Sequence, residues 1–133
     1  MILNYCMMVN SPAYGKQQTK TALQFAKTLL KCNHHINTIF FYQDGVTNAN
    51  CLHTSASDEI NIVLAWCQLA QKFKIKLNIC VSASIRRGII NTEQTKLFNI
   101  KNTSSGNIQP DFNLVGLGSF AQELFICNRF IQF

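Results

Sequence analysis

The sequence predicts a single-domain, three-layer α/β sandwich built on a mostly parallel sheet. Short apolar, β-branched or aromatic runs alternate with longer amphipathic segments, the rhythm of βαβ units. Those runs lack strict alternation, as expected of strands covered on both faces. The chain has 133 residues, 47% hydrophobic and 14% charged, enough for one core and too apolar for disorder. No internal repeat, low-complexity tract or linker divides it, so residues 1–133 read as one domain.

Taken in order, Leu3 to Val9 reads as a buried strand, followed by the turn Asn10-Ser11-Pro12-Ala13-Tyr14-Gly15. A helix is expected over Lys16 to Lys31, with Leu23, Phe25, Ala26, Leu29 and Leu30 on one side. Lys16, Lys20, Lys27 and Lys31 form a stripe on the other, which reads as its wet face, and Asn33 is the stop. Ile36 to Tyr42 is a second buried strand, ended by Asp44-Gly45, and a polar loop follows from Val46 to Ser57. Ser55 with Asp58 fits a capping box for a second helix running to about Phe73, and the pair Asp58-Glu59 suits a helix N-terminus electrostatically.

Leu77 to Val81 is a third strand, and Gly88 to Leu97 holds a strand end and a short helix. Lys101 to Pro110 reads as loop and Phe112 to Val115 as a fourth strand. Ser119 with Gln122 caps a last helix ending near Asn128, and Arg129 to Phe133 is a short final strand. The second helix is apolar over far more than the roughly 100° a surface helix needs, which predicts that it packs against a second chain.

The net charge of +6 favours an anionic or acidic partner. The N-terminal run MILNYCMMV lacks a basic n-region and is too short to span a bilayer, so it reads as the first strand and the expected location is the cytoplasm. The six cysteines show neither C-x-x-C nor paired zinc-ligand spacing. In a reducing compartment they read as free thiols, most of them small core hydrophobes, and no metal is expected.

Ligand and catalytic residues of parallel sheets gather at the carboxyl ends of the strands. Those ends are the loops Asn10 to Gly15, Asp44 to His53 and Ser82 to Gly88, so Tyr14, Asn48, Asn50 and Cys80 are predicted to share one edge. Within LNICVSASIRRG, Cys80 combines a strand end with a basic segment, Arg86-Arg87, right behind it. Nearby arginine charge favours the reactive thiolate, and Ser82 and Ser84 offer hydrogen bonds to a sulfur anion. The competing reading is a buried core thiol.

Cys51, in a polar loop near His53, is the rival nucleophile, and an incidental exposed thiol is its simpler explanation. Arg86 and Arg87 either hold an anion or are simply solvated, and His34-His35 read as turn residues on the opposite edge. Two phosphate motifs fail. Gly116-Leu117-Gly118-Ser119-Phe120-Ala121 fits G-x-G-x-x-A but lacks the later strand and acid, and Gly15-Lys16 lacks the first glycine and the hydroxyl of a P-loop.

The ordered set SPAYGKQQ, FFYQDGVTNAN, SASDE, LNICVSASIRRG, GLGSFAQ and RFIQF resembles the DsrE-like sulfurtransferases, from the first strand to the last residue. The resemblance implies that Cys80 is the sulfur-carrying cysteine, taking a persulfide sulfur from an upstream carrier protein and passing it to a downstream one. It implies a branch of the family serving 2-thiolation of the tRNA wobble uridine, in a hetero-hexamer with two related small subunits. The tRNA is then met only indirectly, and no metal or organic cofactor is involved. Arg86 and Arg87 become candidates to stabilise the persulfide anion, and Cys80 is expected in a shallow, accessible pocket. A non-catalytic subunit of the same kind of complex, with an inert Cys80, is the alternative. Direct RNA binding ranks below both, because aromatics are not interleaved with the basic residues.

Overall fold

Residues 1–101, 103 and 105–133 are described by a computed structural model. Five strands form one sheet: β1 (Asn4–Val9), β2 (His35–Phe41), β3 (Lys76–Cys80), β4 (Phe112–Val115) and β5 (Arg129–Gln132). Their order is β4-β3-β2-β1-β5 and every pairing is parallel. Around them lie α1 (Gln18–Lys31), a 3-10 helix (Gln43–Ala49), α2 (Ile62–Phe73), α3 (Val81–Arg86), α4 (Thr92–Leu97) and α5 (Leu117–Ile126).

The layers follow from handedness. The chain steps from β1 to β2 to β3 in one direction, so right-handed crossovers put α1 and α2 on the same face. After β4 it returns across the whole sheet to pair β5 with β1, and the same rule puts α5 on the opposite face. Aromatic contacts mark both layers. Phe41 meets Trp66 of α2 edge-on with centroids 5.3 Å apart, and Tyr5 meets Phe25 of α1. On the other side Phe40 stacks on Phe120 of α5 at 4.6 Å, and Phe120 meets Phe130 of β5.

Helix ends depart from the sequence reading wherever a nearer cap was available. α2 begins after Asn61, whose side chain accepts a hydrogen bond from the Leu64 amide. The Ser55–Asp58 box is not used, because Ala56 to Glu59 closes a turn of its own. α5 begins directly after Gly116, so Ser119 lies inside the helix rather than capping it. The segment read as the loop Ser82 to Gly88 is α3 with its terminal turn, and the described residues between α3 and α4 form no strand; α4 opens on an Asn91–Gln94 capping box. Asn102 and Ser104, within the expected loop Lys101 to Pro110, lie outside the described residues.

The larger correction concerns the polar loop after β2. Its start, through Ala49, belongs to the 3-10 helix, pressed so closely on the end of β1 that a Cβ on Gly45 would collide with the Val9 carbonyl. Near its C-terminal end Asn48 is fully buried. The Asn48 amide donates to the carbonyls of Ser11 (3.1 Å) and Gly45 (2.9 Å), and its oxygen accepts from the Trp66 indole nitrogen (3.1 Å). Asn48→Ala leaves the buried indole N–H and the Ser11 carbonyl without this partner. Urea denaturation should show a loss of about 3 kcal/mol, the sum expected for orphaning buried polar groups.

Candidate active site

Cys80 is the last residue of β3, in register with Val115 of β4, and the chain turns into α3 at the next position. An extended strand running into a helix with no intervening loop places the cysteine in the N-cap position, where its side chain makes no capping hydrogen bond. The expected shallow pocket is not found: Cys80 is 4% exposed in the isolated chain. The helix α3 that follows it is held against the 3-10 helix. The holding contact is an ion pair, Arg87 Nε to Asp44 Oδ1 at 2.8 Å, while Arg87 Nη1 donates to the Ala83 carbonyl.

Arg87 is therefore committed to Asp44 and is not a free anion ligand. The two residues are 43 positions apart, and nothing local in the sequence links them. Arg86 is exposed and joins no salt bridge among the described residues. Of the two serines, Ser82 faces solvent, whereas Ser84 is fully buried and its hydroxyl has no partner.

The other edge residues are brought to the carboxyl side of the sheet, but with different duties. Asn48 is the buried pin described above, with both ends of its amide in use, so it is structural rather than substrate-binding. Asn50 closes a turn by accepting from the Leu52 amide and bridges to Ile108. Tyr14 is exposed on the β1–α1 loop, beside a shallow cavity lined by Lys16, Gln17 and Lys20. Cys51 is exposed just after the 3-10 helix. At the opposite edge His34 Nδ1 accepts from the Leu3 amide, a structural turn contact.

Two thiols are set apart by their surroundings. Burial, reinforced by the neighbouring Cys127 thiol, pushes Cys6 up to about 12, and burial with the nearby Asp111 carboxylate does the same for Cys67. Both remain protonated near neutrality and are poor nucleophiles. Among the described residues no group of three or more His, Cys, Asp or Glu side chains is placed to hold a metal ion. No helix among them is long and apolar enough to cross a membrane.

Fold and edge together define a small, all-parallel α/β protein with a cysteine at the carboxyl end of its third strand. A model of the DsrE/DsrF-like family matches residues 4–133, and the chain belongs to that family. It is 50% identical over 133 residues to "Sulfurtransferase TusD" of Sodalis glossinidius (strain morsitans), covering 100% of both chains. It is 45% identical over 132 residues to the protein of the same name from Pectobacterium carotovorum subsp. carotovorum (strain PC1), covering 99% of this chain and 100% of that one. Among solved structures, the ychN protein from E. coli superposes with a TM-score of 0.75 at 15% identity, covering 99% of this chain and all of the other, a likeness of fold.

The thiols should separate by reactivity. Brief treatment with iodoacetamide at pH 8 is expected to modify the exposed Cys32 and Cys51 and to spare Cys6 and Cys67, as read by peptide mapping. Because both buried thiols sit above their ordinary value of 9.0, the native chain holds protons that the unfolded chain releases. Their contribution to stability is then complete below pH 9 and falls progressively as pH rises toward about 12, which denaturation midpoints across that window would register.

Proposed function

We propose that the chain relays a persulfide sulfur through Cys80. The protein is a sulfurtransferase, as its full-length relatives are named. The observation that carries the relay is the placement of Cys80: a lone thiol ending a central strand, at the edge where parallel sheets collect their chemistry. The Cys80 thiolate attacks the outer sulfur of a donor protein's persulfide. A new S–S bond forms at Cys80, the donor's own S–S bond breaks, and its electron pair leaves on the donor thiolate. In the second step the acceptor's thiolate attacks the outer sulfur on Cys80, whose thiolate is then regenerated. No external oxidant or reductant enters, and one cysteine is enough.

The sulfur is destined for 2-thiolation of the tRNA wobble uridine, with carrier proteins on either side and tRNA met only indirectly. The chain works with two related small subunits in a hetero-hexamer. Support for such assembly comes from α5 and β5 rather than from α2. The α2 residues Ile62, Val63, Trp66, Cys67, Leu69 and Ala70 are buried within the chain, which leaves Leu64 and Phe73 partly exposed. Phe125, 88% exposed, and Leu117, Ile126 and Phe130 lie open on the α5 side. The relay belongs in the cytoplasm, where thiols stay reduced.

Burial of Cys80 favours the second reading, an inert thiol in a structural subunit, and one experiment separates the two. The complex is incubated with a cysteine desulfurase, free cysteine and a small carrier, then mapped by peptide mass. A reducible gain of one sulfur on the Cys80 peptide is expected, and Cys80→Ser should abolish transfer while leaving folding and assembly intact. Sulfur appearing on Cys51 alone would move the site, and none on any cysteine would leave a scaffold.

We infer that motion of α3, which follows Cys80 directly, helps admit reagents to the thiol, and the Asp44–Arg87 pair restrains that motion. Asp44→Asn should speed alkylation of Cys80 by a small thiol reagent up to about fivefold, the kinetic equivalent of one exposed ion pair. An unchanged rate would show that α3 plays no such part.

A further inference from the structure

We propose that two copies of this chain pair through their α1–α2 faces, antiparallel about a two-fold axis. Each lodges Asp58, Glu59 and Ile60 in the other's lysine-lined groove. The inference does not depend on the sulfur relay.

The groove lies between the C-terminal halves of α1 and α2. It is a cavity of about 290 Å³, with Lys27, Lys31, Lys72, Leu69 and Phe73 in its lining. Lys72 Nζ sits over the Phe73 ring, 5.4 Å from its centroid. None of the three lysines joins a salt bridge among the described residues, and neither helix carries an acidic residue.

The opposite end of α2 has the reverse character. Asp58, Glu59 and Ile60 directly precede its Asn61 cap, and all three are exposed. The two carboxylates join no salt bridge among the described residues, whereas Asp44 and Glu123 are paired with Arg87 and Lys76. Acids before α2 and lysines at its end suit the helix dipole. The dipole does not explain why each charged cluster has an open apolar side chain beside it. Ile60 is 59% exposed at one end and Phe73 41% at the other. Between them the exposed Leu64 and Gln68 lie one turn apart on the same outward stripe.

A helix so patterned is its own complement when turned end for end. A two-fold axis crossing α2 near its middle sets the two copies of the helix antiparallel, with Leu64 and Gln68 close to the axis. Each pair of carboxylates then meets the other copy's lysines, and each Ile60 reaches the other's Leu69 and Phe73. Every contact is made twice and the pair closes on itself, so no fibre follows. Two helices of this length side by side present a face about 20 Å long and 20 Å wide. That is at the low end of specific interfaces, and a micromolar dimer is expected. The contact uses the outward stripe of α2 rather than its buried arc, and leaves the α5–β5 side free.

The first test is zero-length carbodiimide cross-linking of the full chain at high micromolar concentration, read by peptide mass. On one chain the two ends of α2 stand about 18 Å apart, too far for a bond without a spacer. A peptide joining Asp58 or Glu59 to Lys31 or Lys72 therefore reports a second copy, and mixing nitrogen-15-labelled with unlabelled chains should give links of mixed label.

Sedimentation equilibrium supplies the second. Lys31→Glu with Lys72→Glu should weaken the dimer about tenfold, and so should Asp58→Lys with Glu59→Lys, because each sets like charges face to face. Mixed together, the two variants should pair again, since every contact between them is once more of opposite sign. Both keep a net positive charge, so bulk attraction cannot imitate the rescue. A chain that stays monomeric and unlinked would overturn the inference and leave the groove to an acidic partner of another kind. A dimer indifferent to both reversals would overturn it too, as would variants that do not pair when mixed.

Discussion

One side-chain amide holds the carboxyl edge of the sheet together. Asn48 joins the β1–α1 loop through Ser11, its own 3-10 helix through Gly45, and α2 through Trp66. Ser11 is gripped a second time by the Thr19 hydroxyl, so the loop after β1 is fixed from both α1 and the 3-10 helix. The strength of the arrangement lies in what its loss would expose. Each bond is worth only about 1 kcal/mol net, but every partner is buried, and a buried group left alone costs more than its bond contributed. The 3-10 helix then offers Asp44 to Arg87, and that pair ties the end of α3, the helix that follows Cys80, to the same edge. A structural amide thus reaches the reactive edge through two contacts, with no direct role in the chemistry.

This chain of contacts also explains what could be read from the sequence and what could not. The strands were legible because five apolar or aromatic runs, separated by helix-length segments, have few other uses in a chain of this size. Helix ends were less so. Ser55 and Asn61 are both competent caps, and the choice fell to Asn61 because the turn around Ala56 to Glu59 consumed the earlier site. At the edge, placement was legible and duty was not. Asn48 and Asn50 look alike in sequence as polar residues after a strand, yet one is buried against an indole 18 residues away and the other closes a local turn. Long-range partners leave no local trace.

The two faces of the sheet carry unequal cover. One is roofed by α1 and α2, of 14 and 12 residues, the other by α5, of 10 residues, on the single long crossover. Phe120 fills the centre of that face against Phe40, but one short helix cannot also shelter its own flanks. Leu117, Phe125, Ile126 and Phe130 are accordingly left open on α5 and β5, and β5 is also a sheet edge. An exposed edge beside open aromatics is a liability for a lone chain. The broad apolar arc of α2 carried a different meaning: it faces Phe41 and the sheet, and its breadth reflects a deep position in its own core.

Burial of Cys80 then becomes a matter of balance between protection and reach. A persulfide is open to attack by any thiolate that meets its outer sulfur, so a carrier loaded in solution has reason to hide it. The chain beyond Cys80 is a six-residue helix, held at one end by the strand it follows and at the other by an exposed ion pair worth at most about 1 kcal/mol. So light a restraint would yield to any contact that competes for Asp44 or Arg87. On the proposed relay, the 4% exposure of Cys80 would keep a loaded sulfur out of reach of small thiols for most of the time. In the proposed relay, specificity would come from which surface can reach Cys80, while the sulfur chemistry itself is the same for every thiol in the sequence of transfers.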